Sequence, residues 1–578
     1  MKRILFSLLA FFVTVILSAQ KEDDTWIFGY DYDPGGLSEG FTFRFGDSLQ
    51  IFYEQRPMPF LQSSAVICDS AGSLLLYSNG CYVETADGVE VQNSEGMNPG
   101  ILYGQTCEIG DGYNNTQSMI VLQDPKNIGT YHFIHTPLVQ LDNTVLRKDI
   151  LLTTVDILAN GGNGTTLIKN HVVVDDTIHY DGLHAVRHAN GRDWWIISPK
   201  LNSNRYFILL LSPSGISVKE QDMGEPAMNK PVRGEILFSP EGNKMARFNP
   251  KDDLRLFDFD RCTGALSNPR FVPIQDNADI EIYAGLAWSA DSRYLYAAEV
   301  QKLLQFDTWA PDLAGSMTLI ANAEPPLCPL SGTIGFMELG PDGMIYSRPL
   351  NGQKCMHRIV HPERAGAACV FQQNYYQFDY PYANMTHYPN FRLGPVDGSP
   401  CDTLGIDNHP LAGWRYERSG DLMVDFTSVS WYEPEAWLWD FGDPASGSAN
   451  SSAERNPVHT FSAPGAWEVC LTVSNIYGSD TKCKTVWVNT SGLPPSPDQQ
   501  QKVLIWPNPT TGMVYWSGAG GQPVDVQVFN TMGQLVADIA DAGTEVDLGM
   551  LPQGLYFLRL FGKDRLPLAV KPLRIVKP

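Results

Sequence analysis

The chain is 578 residues long and carries 41 Lys and Arg against 64 Asp and Glu, a formal net charge of −23. With 51 Gly and 40 Pro it is interrupted too often for long helices or a coiled coil, and at 43% hydrophobic and 11% aromatic it is too apolar for disorder. What remains is a turn-dense, all-β globular protein of several domains, whose acidity excludes nucleic acid and anionic membrane surfaces as general partners, because like charge slows encounter and releases no counterions.

The opening segment, MKRILFSLLAFFVTVILSAQ, sets Lys2 and Arg3 before a mostly apolar run from Ile4 to Leu17, followed by Ser18 and Ala19. This is the pattern of a secretory signal peptide over residues 1–19, with an apolar run too short to span a membrane comfortably. No later segment has about 18 uninterrupted apolar residues, so no transmembrane segment is expected in the mature chain. The ten cysteines of an exported chain are candidate disulfides, and the absence of any CxxC pair weakens zinc and thioredoxin-like readings.

Over residues 20–395 a short unit recurs: an apolar strand, a polar turn with Gly or Ser, and a second strand rich in Leu, Ile and aromatics. The copies VICDSAGSLLLYS, MIVLQDPKNIGTYHFIH, HAVRHANGRDWWIIS, ILFSPEGNKMARF, LAWSADSRYLYAA and MELGPDGMIYS turn at Gly72, Gly129, Gly191, Gly242, Ser292 and Gly343. Their spacing is about fifty to sixty residues, without helical periodicity, which fits a four-stranded propeller blade. Seven blades are expected, with six as the alternative. The seventh would join the N-terminal strands WIFG and FTFRF to a closing strand near HYPNFRLG, because closure removes the exposed sheet edges. On the runs LLLYSNG, HANGRDWW, FDFDRCTGALSNP and SRYLYAAEV, this region resembles a family of secreted propeller-like proteins of Bacteroidota. That resemblance implies a fold and a compartment, with no catalytic residues to carry over.

Residues 396–413 are turn-rich and aperiodic and read as a connector. Residues 414–490 hold short alternating strands. The run WDFGD followed by NPVHTFSAPGAWEVCLTV resembles a polycystic-kidney-disease (PKD) domain, an immunoglobulin-like sandwich. Val469, Leu471 and Val473 share one strand face and Trp439 is a candidate core aromatic. A Pro/Gln-rich spacer, residues 491–502, precedes a block of alternating strands, residues 503–578. The order PNPTTG, VFNTMGQLV, LPQGLYFLRL and a basic end resembles the type A C-terminal sorting domain of the type IX secretion system, a second small β-sandwich. The resemblance marks Pro507, Asn508, Pro509, Gly512, Gly533, Gly554, Lys571 and Lys577 as sorting residues and implies the type IX machinery as a partner.

Candidate chemistry is sparse. His171, His179, His184 and His188 lie near Asp175, Asp176 and Asp181, but on different strands and turns and without a ligand spacing, so structural roles are favoured. His132 and His135, three apart on a strand, point to opposite faces. No catalytic elbow, P-loop or dinucleotide fingerprint occurs, and neither a cofactor nor a metal is expected. Asp440 and Asp443 fit turn hydrogen bonds better than a calcium site. The aromatic run NYYQFDYPYANMTHYP offers Tyr375, Tyr376, Tyr380 and Tyr382 as weak binding candidates, against a core role for the same residues. Cys470 and Cys483 flank the turn NIYG and pair about its midpoint, and Cys81 and Cys107 bracket one loop, so both pairs are expected as disulfides. Pairing of Cys68, Cys262, Cys328, Cys355, Cys369 and Cys401 stays open. The expected function is an exported, surface-attached or released binding or adhesion protein, with the propeller presenting a glycan or protein ligand face and the sandwich as a spacer. A secreted hydrolase of glycans or peptides, or a structural component of a surface layer, is the alternative.

Overall fold

The structure is a computed structural model and describes residues 21–31, 38–141, 144–227, 233–274, 283–324, 332–350, 352–488, 504–506, 510–517, 525–530, 535–540, 542–561 and 567–577. The signal peptide, the Pro/Gln-rich spacer and Cys328 lie outside these residues. Two units separate, residues 489–578 grouping away from nearly everything before them.

Three sheets of the first unit show the repeat in its plainest form. Each runs through four antiparallel strands in chain order: His184–Arg187 to Gly215–Asp222, Glu235–Phe238 to Ala265–Val272, and Gly285–Trp288 to Thr318–Asn322. The first strand of each is wholly buried and the last mostly exposed. First strands lie against the first strands of neighbouring sheets, so the sheets radiate from a common axis. This is the geometry of a β-propeller.

The other sheets are less regular. Met119–Gln123, Thr130–His135, Thr144–Asp156 and Thr165–Thr177 form one, with Leu138–Leu141 added beside the third of these. Ala65–Cys68, Leu74–Ser78 and Val83–Thr85 form a three-stranded sheet. A seven-stranded sheet joins both ends of the region: Met337–Leu339, Ile345–Ser347, Gln353–Ile359 and Phe371–Tyr382 continue into Thr25–Asp31, Ser38–Arg44 and Gln50–Arg56. The junction is one bridge, Tyr30 opposite Tyr382. Strand pairing among the described residues therefore yields six sheets, and the blade number depends on whether that bridge divides one blade or two.

Closure differs from the expected one. HYPNFRLG is no strand; residues 383–390 have no regular structure and run through the middle of the ring. Asn384, Met385, Thr386, His387, Tyr388 and Phe391 are all buried. Asn384 Nδ2 donates to Ile27 O at 2.7 Å, Thr386 Oγ1 meets Ser64 Oγ at 2.8 Å, and Tyr388 OH donates to Thr25 O at 2.9 Å. His184 Nε2 lies 3.2 Å from Tyr388 O, and Asn390 Nδ2 donates to Pro240 O at 2.7 Å. The partners come from several sheets, so one segment ties them together along the axis.

The chain then packs against two ring turns before entering the sandwich. A Cβ on Gly242 (φ 71°) would lie 2.7 Å from Leu393 Cδ2, and one on Gly191 (φ 76°) would lie 2.9 Å from Pro395 Cδ. Glycine is required at both turns, by conformation and by this close approach. The sandwich pairs Trp414–Arg418, Met423–Ser428 and Val458–Thr460 in one sheet and Ser451–Ser452, Ala436–Asp440, Gly465–Asn475 and Gly478–Val488 in the other. Trp439, Val469, Leu471 and Val473 are each 0% exposed at its core.

The second unit forms one sheet from Leu504–Trp506, Met513–Ser517 and Glu545–Asp547 and another from Leu535–Ile539, Asp525–Asn530, Gly554–Phe561 and Pro567–Ile575. Val514, Val526, Val528, Leu558, Leu560, Leu573 and Ile575 fill the space between them, as period-two alternation requires.

Candidate functional site

The axis, where a ring of sheets could leave a funnel, is narrowed by residues 383–392 to a pocket lined by His184, Phe238, Trp288, Glu338, Tyr388 and Trp431. His387 sits between Glu235 (3.1 Å) and Glu338 (3.3 Å), all three side chains shielded from water. Burial pushes both carboxyls well above their ordinary range and drives the imidazole down to about 3. Burial thus disfavours charge on all three groups, and among the described residues Glu235 Oε1, Glu338 Oε2 and His387 Nδ1 are left without a hydrogen-bond partner.

A larger concave surface lies between ring and sandwich, in a cleft of about 880 Å³. Phe45, Tyr346, Tyr376, Trp414 and Trp431 supply its aromatic walls. Arg392 lies 5.2 Å over the Trp431 ring while its guanidinium bonds Asp23 and Asp24; burial raises the Asp24 carboxyl to about 6 despite that partner. Lys484 Nζ donates to Trp414 O at 2.6 Å and Asp47 O at 3.0 Å, and burial lowers it to about 8. Lys482 pairs with Asp47 at 2.9 Å, Arg364 reaches Asp425 at 3.5 Å, and Arg415 donates to Val360 O. A disulfide between Cys262 and Cys401 fastens the connector to a ring hairpin, with Cα atoms 5.6 Å apart. The sandwich is docked on the ring, which differs from the spacer expected from sequence. Residues 396–413, expected as a connector, pack against both partners.

The histidine-rich segment scatters as its residue spacing implies. His171 is exposed, Asp175 pairs with Lys148, and Asp176 pairs with Lys200. His184 and His188 bond the Tyr388 and Cys262 carbonyls. Only His179 and Asp181 come together, 3.1 Å apart, with Asp252 at 3.2 Å from the imidazole and Arg247 on the Asp181 carboxylate. The whole group is buried, a polar lock between sheets. His132 bonds Thr154 and Asp124, and His135 bonds Asn98 and Thr153. Among the described residues no cluster of His, Cys, Asp or Glu is arranged to hold a metal.

The four tyrosines divide between core and surface. Tyr382 is 1% exposed and donates to Cys355 O. Tyr376 stacks in the aromatic core with Phe378 and Tyr346 and reaches the cleft. Tyr375 has Arg358 3.5 Å over its ring, and Tyr380 meets Tyr53 at 5.9 Å on the outer edge. Asp440 accepts from Gly442 N at 3.0 Å, a turn-forming bond, whereas the buried Asp443 accepts from Ser462 N at 2.8 Å and so ties two distant segments of the sandwich.

Cys81 and Cys107 form a disulfide, as do Cys470 and Cys483, which stand opposite each other in register. Cys355 is also disulfide-bonded, while Cys68 and Cys369 are free and buried. In the second unit Gly512 faces Gly549 so closely that a Cβ would lie 2.8 Å from the Gly549 Cα, and Lys577 Nζ donates to Gly549 O. Gly554 opens its strand. Lys571 lies within Pro567–Ile575, and Pro507, Asn508, Pro509 and Gly533 lie outside the described residues.

Comparison with known proteins matches residues 421–490 to the PKD domain and residues 504–566 to the secretion system C-terminal sorting domain. A collagenase of Bacillus cereus is 30% identical over 134 residues, 22% of this chain and 12% of that protein. Among solved structures, the first PKD domain of a Vibrio cholerae metalloprotease is 30% identical over 14% of this chain and 99% of that one, with a TM-score of 0.13. A putative 6-phosphogluconolactonase of Bacteroides uniformis is 11% identical over 62% and 97%, with a TM-score of 0.37. The chain spans about an eighth of the length of the collagenase it matches. It carries a PKD domain and a type IX sorting domain, and the latter directs it to the cell surface or the medium. Among the described residues no helix is long and apolar enough to cross a membrane.

Proposed function

We propose that this is a non-enzymatic binding protein of the cell surface or medium, and that ring and sandwich together hold an extended glycan or peptide segment in the cleft between them. The observation that supports this most is the cleft itself: residues 383–392 narrow the axis, and the larger concave surface among the described residues is the aromatic and charged cleft. Such a surface combines flat apolar area with fixed hydrogen-bond donors, the usual composition of a recognition site. The C-terminal unit acts in delivery. Deleting residues 503–578 is expected to retain a folded chain in the periplasm, as read by fractionation of the native host.

The test of binding is a glycan and host-protein screen with the full chain, followed by Trp431→Ala and Arg358→Ala. Both are expected to weaken a captured ligand about tenfold or more, as loss of a central aromatic or Arg contact does. Capture unaffected by either change contradicts the assignment, and turnover of the captured ligand favours the hydrolase alternative.

A further inference from the structure

The docking of sandwich on ring brings together charges that lie far apart in sequence. Asp47 stands in the turn between Ser38–Arg44 and Gln50–Arg56, lines the cleft, and is 70% exposed at its side chain. Lys482 and Lys484, two apart and therefore on one face of the sandwich strand Gly478–Val488, reach it from the other partner. Lys482 Nζ lies 2.9 Å from Asp47 Oδ1 and keeps its own side chain 44% exposed. Lys484 Nζ donates to Asp47 O at 3.0 Å and to Trp414 O at 2.6 Å. Lys21, which precedes the first ring strand, is half-buried and lines the same cleft.

Three lysines thus share one carboxylate. The hydrogen bond from Lys482 holds Asp47 below its ordinary carboxylate range, and the charges of Lys482, Lys484 and Lys21 act in the same direction. Burial lowers Lys484 to about 8 even with Asp47 beside it, and its ammonium, bonded to two neutral carbonyls, lies 5.1 Å over the Trp414 ring. The other acids of the cleft are engaged elsewhere: Asp24 bonds Arg392, Asp342 accepts from Tyr346 OH at 2.6 Å, Asp480 accepts from Ala412 N at 2.8 Å, and Glu417 acts on Arg358. Three Lys against one Asp leave a local surplus of positive charge in a chain whose formal charge is −23. Salt screens the acidic remainder beyond about 10 Å, so a ligand group placed here meets the lysines.

We propose that the cleft takes an acidic glycan, with one anionic group of the sugar, a carboxylate or a sulfate, held by Lys21, Lys482 and Lys484. Lysine ammoniums are compact point charges with rotatable donors, which suit either group without the planar two-point geometry of an arginine fork. The half-buried rings of Tyr376, Tyr416 and Trp431 line the same cleft, and flat aromatic faces pack well against the apolar faces of sugar rings. An acidic peptide brings backbone groups that need partners as well. The sandwich edge strand Trp414–Arg418 serves it poorly, since Lys484 already occupies the Trp414 carbonyl. Asp47 competes with the ligand group for these lysines and so limits affinity. The inference rests on the binding reading above and names the ligand class for that cleft.

The experiment uses the full mature chain and titration calorimetry at low salt with an oligogalacturonate, the same oligomer as its neutral methyl ester, a sulfated galactan oligosaccharide, and an oligoaspartate of matched charge. At least one of the two acidic glycans is expected to bind, and the one that binds identifies carboxylate or sulfate as the recognised group. Lys21→Gln and Lys482→Gln are each expected to weaken it about fivefold, with Arg205→Gln, in a surface ion pair of another sheet, leaving it unchanged. Asp47→Asn removes the competing carboxylate and is expected to strengthen binding about threefold, a gain that damage to the fold does not produce. The proposal is overturned if neither acidic glycan binds, if the methyl ester binds as tightly as the free acid, if Lys482→Gln leaves binding undiminished, or if the oligoaspartate binds more tightly than either glycan. Capture of a neutral glycan that is sensitive to Trp431→Ala and indifferent to Lys482→Gln would reject the acidic ligand while leaving the cleft reading intact.

Discussion

The three regular sheets and the joint of the ring are held by different forces. In the regular sheets, partners in register are close in sequence: Lys244–Asn249 pairs with Asp253–Asp260 across a tight turn. Many of their charged pairs, such as Arg205 with Glu220 and Asp222 or Arg293 with Asp307, sit at the surface, with Arg247 on Asp181 a buried exception. At the joint the contacts span the region: Asn384 bonds Ile27 and Arg392 bonds Asp23 and Asp24, more than 350 residues apart. Those ions are buried, and a cluster of Trp26, Phe28, Phe41, Phe43, Phe378 and Tyr382 packs beside them. Local pairing makes each sheet, while long-range burial makes the ring a single body.

The largest effect expected from this contrast is loss of the axial segment. A chain ending before residue 383 should lose cooperative melting, because every sheet the segment touches is left with unpaired buried polar groups; a monomer melting as cooperatively as the longer chain contradicts the joint. Next in size, Arg392→Ala leaves two buried carboxylates without a partner and is expected to cost about 3–5 kcal/mol, whereas Arg205→Ala, whose side chain is 38% exposed, should cost under about 1 kcal/mol. Denaturant titration of both variants gives the comparison directly.

Replacing Cys262 and Cys401 by Ser opens a span of 139 residues. The chain-entropy model puts the loss near 5 kcal/mol as an upper figure. Thermal melting should fall, and the sandwich should become more accessible to protease. Equal melting temperatures would show that the docked interface holds without the staple.

How much of this the sequence discloses follows the same division. Gly191, Gly242, Ser292 and Gly343 all fall in the turn between first and second strands, because a tight hairpin needs a positive φ there and all four have one. The sandwich core is legible from alternation, and the register of Cys470 with Cys483 from their symmetry about the turn NIYG. The axial segment was not: NYYQFDYPYANMTHYP has no period that separates a strand from a buried coil, and its partners lie hundreds of residues away. Glu235, Glu338 and Arg392 gave no signal for that reason. Nor did the cleft, which arises from a docking that the turn-rich connector does not reveal.

The smallest expected effect is in the pH dependence, and its sign separates the two regions. Burial raises Asp24 to about 6 and Glu22 to about 7. Their folded forms bind protons that the unfolded chain releases above about pH 4, so this contribution is present at low pH and is lost as pH rises through 6 to 7. The slope is at most about 1.4 kcal/mol per pH unit for each group. Asp307, held low by Arg293, acts oppositely: its contribution is present above the unfolded pKa and is lost as pH falls. Stability curves of Asp24→Asn and Asp307→Asn between pH 4 and about 8 should therefore diverge in opposite directions from the parent.

The most direct test of the joint is hydrogen–deuterium exchange of the native full-length chain, comparing the peptide covering residues 383–392 with the inner strand Glu235–Phe238 and with the exposed outer strand Gly215–Asp222. Exchange of residues 383–392 as slow as that of the inner strand is the expected result. Exchange within seconds, faster than the outer strand, would place the segment outside the ring and leave the axis open.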